Sequence, residues 1–193
     1  MPFRHVAGSL GTLGVAVIAL AGCLGTAFPS QSGNSAPGVS ITGLPVNASL
    51  RYGARPVQFA VTIRNGTAHR YRNTLPIVSL GHCTCSPYEA QQAPGGTMAE
   101  LDTATGTWNS IYYDSQGPSD DYLLVAPAQF PSLTLGPGAT ARYRLRIAFS
   151  PLSQQGNYAA GQTSINVTLV ALPSRTVIGS SPAASVPLAV ITS

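Results

Sequence analysis

Residues 56–67 of this chain read PVQFAVTIRNGT, and this stretch decides how the rest of the sequence is interpreted. Its odd-numbered positions from 57 to 63 carry large apolar side chains, while the even positions carry small or polar ones. A period of two places the apolar set on one face of a β-strand, which is the pattern of a half-buried strand. Asn65 and Gly66 follow, and because both tolerate positive φ we expect a turn there.

The composition favours an all-β domain. Only 8% of the 193 residues are charged, whereas 20 are Gly and 16 are Pro. Outside the N-terminal leader, no long window has the i, i+3, i+4, i+7 spacing of an amphipathic helix. Strand-like segments separated by turn residues predict an immunoglobulin-like antiparallel β-sandwich of about nine strands. A closed barrel or a jelly roll is the alternative architecture.

The strand assignments follow from the same alternation. A first strand is expected within residues 39–50, interrupted by Gly43 and Pro45 and therefore suited to a sheet edge. Residues 73–82 should pair with the strand at 57–64 across the loop 68–72. A hairpin is expected from segments 97–102 and 107–113, with Gly106 at the position that needs an unusual φ. Further strands are expected at 122–126, 130–135, 139–149, 164–172 and 185–191.

The first 22 residues are expected to be a lipoprotein signal peptide. Arg4 precedes a mostly apolar stretch at 6–20, which is shorter than the roughly 20 residues that a membrane-spanning helix needs. Residues 20–23 read LAGC and are similar to the bacterial lipobox. This resemblance implies that Cys23 becomes the first mature residue and carries a diacylglycerol, whose two acyl chains would anchor it stably. An ordinary secretory signal with an unrelated Cys is the alternative.

The remaining chain divides into a tether and a domain. Residues 23–38 are rich in Ser, Gly, Pro and Asn, which predicts a lipidated Cys followed by a disordered tether. Residues 39–193 are assigned to the sandwich. We therefore expect export across the cytoplasmic membrane, with the protein lipid-anchored at the outer face of the cell membrane.

A family resemblance supports the sandwich. Residues 134–149 read TLGPGATARYRLRIAF, and this turn followed by a long alternating strand resembles bacterial immunoglobulin-like and fibronectin-like modules. The stretch 57–67 resembles the second strand of such modules. Residues 39–191 as a whole resemble a group of actinobacterial lipoproteins and secreted proteins. The resemblance covers nearly the whole mature chain and carries no catalytic motif.

The segment His82-Cys83-Thr84-Cys85 is the cluster with chemical possibilities. With Cys23 lipidated, Cys83 and Cys85 form an even pair in an oxidising exterior, and a turn there would allow a disulfide between them. The alternative is a soft-metal site, in which two thiolates and the imidazole of His82 bind Cu(I) or Zn(II). No other cofactor is expected apart from the lipid on Cys23.

Three arginines define a candidate surface. Arg142, Arg144 and Arg146 alternate with the apolar positions 141, 143, 145, 147 and 149, so they should share the solvent face of one strand, joined by Arg64. Such a stripe could contact lipid phosphates or anionic wall polymers. The alternative is a solvated face that prevents edge-to-edge pairing of sheets.

The function that these features favour is recognition rather than turnover. Loss of the leader leaves nine arginines against six acidic residues, a formal net charge of +3 without the basic runs of a nucleic-acid-binding protein. The mature chain has two His and no Gly-x-Ser-x-Gly elbow, so no catalytic residue is assigned. We expect a lipid-anchored, non-catalytic module that binds an envelope or extracellular protein or polymer. A copper- or zinc-binding lipoprotein is the alternative.

Overall fold

The computed structural model describes residues 36–89, 91–111 and 132–192, all of which belong to the unit Ser32–Ser193. The predicted signal peptide, Cys23, the tether up to residue 35 and the strand at 122–126 lie outside these residues. The part of the chain that is described is all-β, with no α-helix and one short 3-10 turn at Leu152–Gln154. No helix in it is long and apolar enough to cross a membrane.

The described strands form two sheets. In chain order they are β1 (Gly38–Thr42), β2 (Ser49–Arg51), β3 (Val57–Arg64), β4 (Tyr71–Leu80), β5 (Gly96–Leu101), β6 (Trp108–Ile111), β7 (Leu133–Leu135), β8 (Thr140–Phe149), β9 (Gly161–Ala171), β10 (Thr176–Val177) and β11 (Ala184–Ile191). The first sheet has the antiparallel order β1-β3-β8-β5-β6. The second has the order β2-β11-β9-β4-β7, with β10 also paired to β9. β2 runs parallel to β11, and the other pairs of this sheet are antiparallel.

The predicted alternation builds the core. Both sheets contribute to one cluster of buried apolar side chains, and each such side chain removed from water stabilises the fold by about 1.5–3 kcal/mol. The contributions of the three long central strands are Phe59, Val61 and Ile63 from β3, Leu145, Ile147 and Phe149 from β8, and Ile165, Val167 and Leu169 from β9. The inward and outward faces of these strands are those that the sequence predicts.

The prediction of a single strand within residues 39–50 is wrong, although the predicted position at a sheet edge is confirmed. The segment forms two strands, β1 in the first sheet and β2 in the second. Gly43 has φ of +86° and Asn47 has φ of +61°, so the backbone turns sharply twice between the two strands. These left-handed positions redirect the chain from one sheet to the other.

The predicted pairing of residues 73–82 with the strand at 57–64 is also wrong. β3 pairs with β1 and β8, whereas β4 pairs with β9 and β7 in the other sheet. Neither Asn65 nor Gly66 has positive φ, so the tight turn that would return the chain beside β3 does not form. Instead, the backbone amide of Asn65 donates to the Ala139 carbonyl at 2.9 Å, and the chain crosses to the second sheet.

Other assignments agree with the structure over the residues that it describes. β5 and β6 form the predicted hairpin, with Met98 opposite Ile111, and Gly106 has φ of +72° in the turn. β8, β9 and β11 coincide closely with the predicted segments. The short strand β10 was not expected from the sequence.

Candidate anion-binding surface

The outward side chains of β8 form a row of arginines at the centre of the first sheet. β8 lies between β3 and β5; β3 pairs with residues 140–147 of β8, whereas β5 pairs with residues 145–149 and so flanks only Arg146 of the row. Arg142 and Arg144 are exposed, and Arg146 is half-buried. Alternate residues of an antiparallel strand lie about 6.8 Å apart, so the three guanidinium groups leave the sheet at regular intervals. We call this row, together with Arg64, the arginine face.

Arg64 belongs to the same side of the sheet. It pairs with Thr140 at the end of β3, and Thr140 lies two residues before Arg142 on the same face of β8. Its side chain is exposed. Alternation predicts that Arg142, Arg144 and Arg146 share one face of β8, and the pairing of β3 with β8 places Arg64 on the same side.

Small side chains lie directly beside the arginines. Ala60 of β3 is opposite Arg144, and Ala99 of β5 is opposite Arg146. Both alanines point outward, yet each is only 6% exposed. Their burial requires longer neighbouring side chains to cover them, as the aliphatic stems of Arg144 and Arg146 can do while their charged ends stay in water.

Trp108 limits the arginine face at one side. The guanidinium carbon of Arg146 lies 4.5 Å from the centroid of the Trp108 ring, which is a cation–π contact. Trp108 pairs with Leu101 across the β5–β6 hairpin, and both side chains are half-buried. The contact restrains Arg146, whereas no described residue forms an ion pair with Arg142 or Arg144. In the sequence, only the place of Trp108 in a predicted hairpin strand points to this contact.

The carboxylates of the neighbouring strand lie on the other face. Glu100 of β5 is opposite Leu145, an inward residue of β8. Burial, and then the nearby Asp102, raise the pKa of Glu100, while hydrogen bonds from Ala104 and Thr105 lower the pKa of Asp102. The arginine face of the described strands therefore carries positive charge with no carboxylate among its outward residues. It can bind anions by charge and hydrogen bonding.

The two cysteines of the His82-Cys83-Thr84-Cys85 segment lie in the core. They are joined as a disulfide with Cα atoms 5.0 Å apart, and their side chains are 0% and 1% exposed. The amide of Ser86 donates to the Cys83 carbonyl at 3.1 Å, so a turn closes the loop. The loop also contacts β9, because the amide of Thr84 donates to the Gln162 carbonyl at 3.0 Å.

The structure does not gather a metal-binding group around this segment. His82 is exposed while both sulfurs are buried, and no set of three His, Cys, Asp or Glu side chains among the described residues is placed to hold a metal ion. Two sulfurs joined to each other offer no thiolate, so a soft metal would require reduction of the disulfide first. The copper or zinc site stays a prediction.

Sequence reasoning missed the role of Asn65, which lies at the end of β3 beside Arg64. Its side chain is fully buried, and Nδ2 donates to the carbonyls of His69 (2.6 Å), Leu135 (3.1 Å) and Gly136 (2.9 Å). Oδ1 accepts from the amide and the hydroxyl of Thr67 at 3.0 and 2.8 Å. The side chain thus connects β3 with two loops.

Comparison with known proteins gives a fold likeness. No protein-family model matches the chain, and neither does any curated protein. A solved structure of AvmM, described as catalysing macrocyclization in alchivemycin A biosynthesis, superposes with a TM-score of 0.54 at 13% sequence identity. The match covers 83% of this chain and 91% of that one. At this identity the likeness concerns the fold alone.

Proposed function

We propose that this chain is a lipid-anchored, non-catalytic module on the outer face of the cell membrane, and that its arginine face contacts phosphate groups of the envelope. The observation that carries the proposal is a row of outward arginines on the central strand of a sheet, with no carboxylate among the outward residues of the described strands. The catalysis named for AvmM belongs to that protein, and the proposal assigns no catalytic residue here.

The strand order supports an immunoglobulin-like sandwich as the scaffold. β1-β3-β8-β5 follows the A-B-E-D order of one immunoglobulin sheet, and β11-β9-β4 follows the G-F-C order of the other. The parallel strand β2 would then be an additional edge strand beside G. β7 departs from this scheme, because it pairs with β4 but comes after β5 and β6 in the chain.

The predicted anchor suits a surface that acts near the membrane. β1 begins at Gly38, so the predicted tether is shorter than residues 23–38, and a flexible segment over residues 23–35 would have a root-mean-square end-to-end distance of about 20 Å. That distance lets the arginine face reach lipid headgroups or the wall polymers next to them. Each basic residue near an anionic surface contributes about 1 kcal/mol of binding free energy. The loss of two arginines should therefore weaken binding to that surface measurably.

Binding to anionic phosphate tests the arginine face. The exported chain carrying Cys23→Ser, which cannot be lipidated, would be sedimented with vesicles of phosphatidylglycerol and phosphatidylcholine, and separately titrated with soluble poly(glycerol phosphate). Replacing Arg142 and Arg144 by Gln should weaken binding about 30-fold. The matched control replaces Arg51 and Arg55, which are exposed on β2 and in the turn after it, by Gln.

The outcomes separate the lipid from the polymer. Binding to vesicles alone identifies headgroups as the source of phosphate, whereas binding to the polymer alone identifies the wall. An equal loss in the control variant, or no binding to either probe at low salt, would contradict the proposal.

The anchor has its own test in the full-length chain. Wild-type protein should fractionate with membranes, and the Cys23→Ser variant should appear in the soluble fraction, since it lacks the acylated thiol. Membrane association that persists unchanged in the Cys23→Ser variant would exclude lipidation at this position as the anchor.

A further inference from the structure

The outer face of the second sheet holds a pocket of about 250 Å³ that no part of the proposed function uses. Ile77 of β4, Val170 of β9 and Val177 of β10 form its apolar lining. The register brings these strands together, because Val170 is opposite Val177 in the β9–β10 pair and Ile77 is opposite Thr168 in the β4–β9 pair. The pocket is therefore built on strands rather than on loops alone.

The burial of Val170 shows that this outer face is covered. Leu169 points into the core and Val170 points outward, yet Val170 is only 3% exposed. The amide of Ile178 donates to the Leu169 carbonyl at 2.8 Å and that of Ala183 donates to the Val167 carbonyl at 2.7 Å, so the segment after β10 is held along β9. This segment contributes the wall beside Val170. Val177 is 44% exposed and lies at the mouth.

Hydroxyl groups line the same pocket. Ser79, Thr168 and Ser181 contribute them, and the hydroxyls of Thr168 and Ser181 are 3.4 Å apart. A separation of that length is a weak hydrogen bond at most, so both groups retain the capacity to donate to a ligand. The pocket therefore combines an apolar floor with hydrogen-bond donors.

Arg175 is the charged residue of the lining. It lies between β9 and β10 with φ of +56°, a left-handed conformation that Gly or Asn would adopt at lower cost. No described residue accepts a hydrogen bond from its guanidinium or forms an ion pair with it. The guanidinium is thus available to an anion in the pocket, and its fork of N–H groups matches a carboxylate with two parallel hydrogen bonds.

We infer that this pocket binds a small monocarboxylate with a short aliphatic tail. The single guanidinium matches one negative charge, the hydroxyls satisfy the remaining carboxylate lone pairs, and the apolar floor takes the tail. A site for a drug-sized ligand has about 300–1,000 Å³, so this smaller volume suits a ligand of about ten non-hydrogen atoms. A phosphate dianion would need more positive charge than one arginine supplies.

Titration with octanoate tests the inference. The ¹⁵N-labelled exported chain carrying Cys23→Ser would be titrated with octanoate, with the neutral isostere octanamide, and with inorganic phosphate. Octanoate should shift the amide resonances of Ile77, Thr168 and Val177. Arg175→Gln should weaken its binding at least about tenfold, since a charge-assisted bidentate pair is lost. Arg55→Gln removes the same charge from an exposed turn outside both the pocket and the arginine face, and it should leave the affinity unchanged.

Each other outcome overturns the inference. Octanamide binding as tightly as octanoate would show an apolar site without recognition of charge. Inorganic phosphate competing with octanoate at equal concentration would show that the anion is not a carboxylate. Shifts that appear around Arg142 instead, octanoate affinity unchanged in Arg175→Gln, or no shifts near the solubility limit would each exclude a monocarboxylate site at this pocket.

Discussion

At the scale of single residues, Asn65 connects three segments through its side chain. Its Nδ2 donates to carbonyls in the 67–69 loop and in the turn after β7, while its Oδ1 accepts from Thr67. A buried amide that satisfies this many backbone groups is costly to replace. Each buried group left without a hydrogen bond lowers the free energy of unfolding by about 1–3 kcal/mol. The sequence indicated Asn65 as a turn residue for its backbone, whereas its side chain matters more.

Asn65→Asp should strongly destabilise the protein. The substitution keeps the shape and the acceptor for Thr67, but it points a second oxygen at three carbonyl oxygens and buries a negative charge. We expect a loss of about 3 kcal/mol in the free energy of unfolding at neutral pH, measured by urea denaturation. The loss should shrink near pH 4, since protonation of the carboxyl removes the charge and restores one donor.

Asn157→Asp provides the control, because Asn157 is exposed and the same chemical change there meets water. If both variants unfold at the same urea concentration as the wild type, the hydrogen-bond network at Asn65 does not stabilise the fold.

One buried tyrosine, Tyr52, and one half-buried tyrosine, Tyr143, should make the fold sensitive to alkali. Burial, and then Tyr158, raise the pKa of Tyr52 from 10.0 to about 12, and burial followed by Glu100 raises that of Tyr143 to about 12. Between these values the unfolded chain releases protons that the folded chain retains, so stability is full below pH 10 and falls as pH rises towards 12. The hydroxyl of Tyr52 also donates to the Ala159 carbonyl at 3.1 Å, which the phenolate cannot do.

Thermal unfolding of the wild type and of Tyr52→Phe at several pH values between 8 and 12 checks this prediction. The variant should be less stable at pH 8, by about 1 kcal/mol for the lost hydrogen bond, but should lose less stability as pH rises. Parallel curves for the two proteins would show that Tyr52 does not contribute to the alkaline transition.

At the scale of elements, strand alternation accounts for the arginine face and for most of the core. β8 needs no tertiary information to separate its arginines from its apolar residues, since a period of two does so in any sheet. The burial of Ala60 and Ala99 on the outer face could not be predicted without the register of β3 and β5 against β8. The row was therefore predictable, whereas the side chains that surround it were not.

The loop that contains the disulfide packs against the start of β9. The amides of Ala159 and Gln162 donate to the Cys85 carbonyl and to the Thr84 hydroxyl, both at 2.9 Å. Gly161 lies between these contacts, and a Cβ atom there would be 2.5 Å from the Cys85 nitrogen and 2.8 Å from its Cα. Because these are backbone atoms, they cannot rotate away.

Gly161→Ala should therefore lower the free energy of unfolding by about 2 kcal/mol, as overpacking against backbone does. Gly136→Ala is the matched control, since a Cβ there meets nothing within 4 Å and Gly136 does not have positive φ. Urea denaturation of both variants measures the difference. Equal stability of the two would mean that the loop moves away from β9 at little cost.

At the scale of the whole molecule, the covalent state of the exported chain separates the two functions considered from the sequence. Intact mass of the Cys23→Ser chain, expressed in an oxidising compartment, should be about two hydrogens below the reduced value. Thiol alkylation should fail even after denaturation, because both sulfurs are already bonded. Free thiols together with a copper or zinc adduct that disappears on denaturation would instead favour the metal-binding lipoprotein.

The assignment of strands to sheets was the part of the fold that sequence reasoning got wrong. Alternation predicts one strand within residues 39–50 and a partner of β3 at residues 73–82, whereas β2 from the first segment and β4 from the second belong to the second sheet. Alternation tells which side of a strand is buried but is identical for a neighbour in the same sheet and for one in the facing sheet. Alternation does not predict the pocket with Arg175 either, because that pocket forms only where β4, β9 and β10 lie side by side.

From the sequence alone follow the all-β class of the described residues, the places of their long strands, and the side of β3, β8 and β9 that enters the core. These properties depend on local periodicity and turn residues, which each segment carries within itself. The tertiary structure alone decided the pairing of strands, the network around Asn65, the burial of the Cys83–Cys85 disulfide and the pocket on the second sheet. Those depend on contacts between residues far apart in the chain, and the free energy of such contacts is not encoded in any single window of sequence.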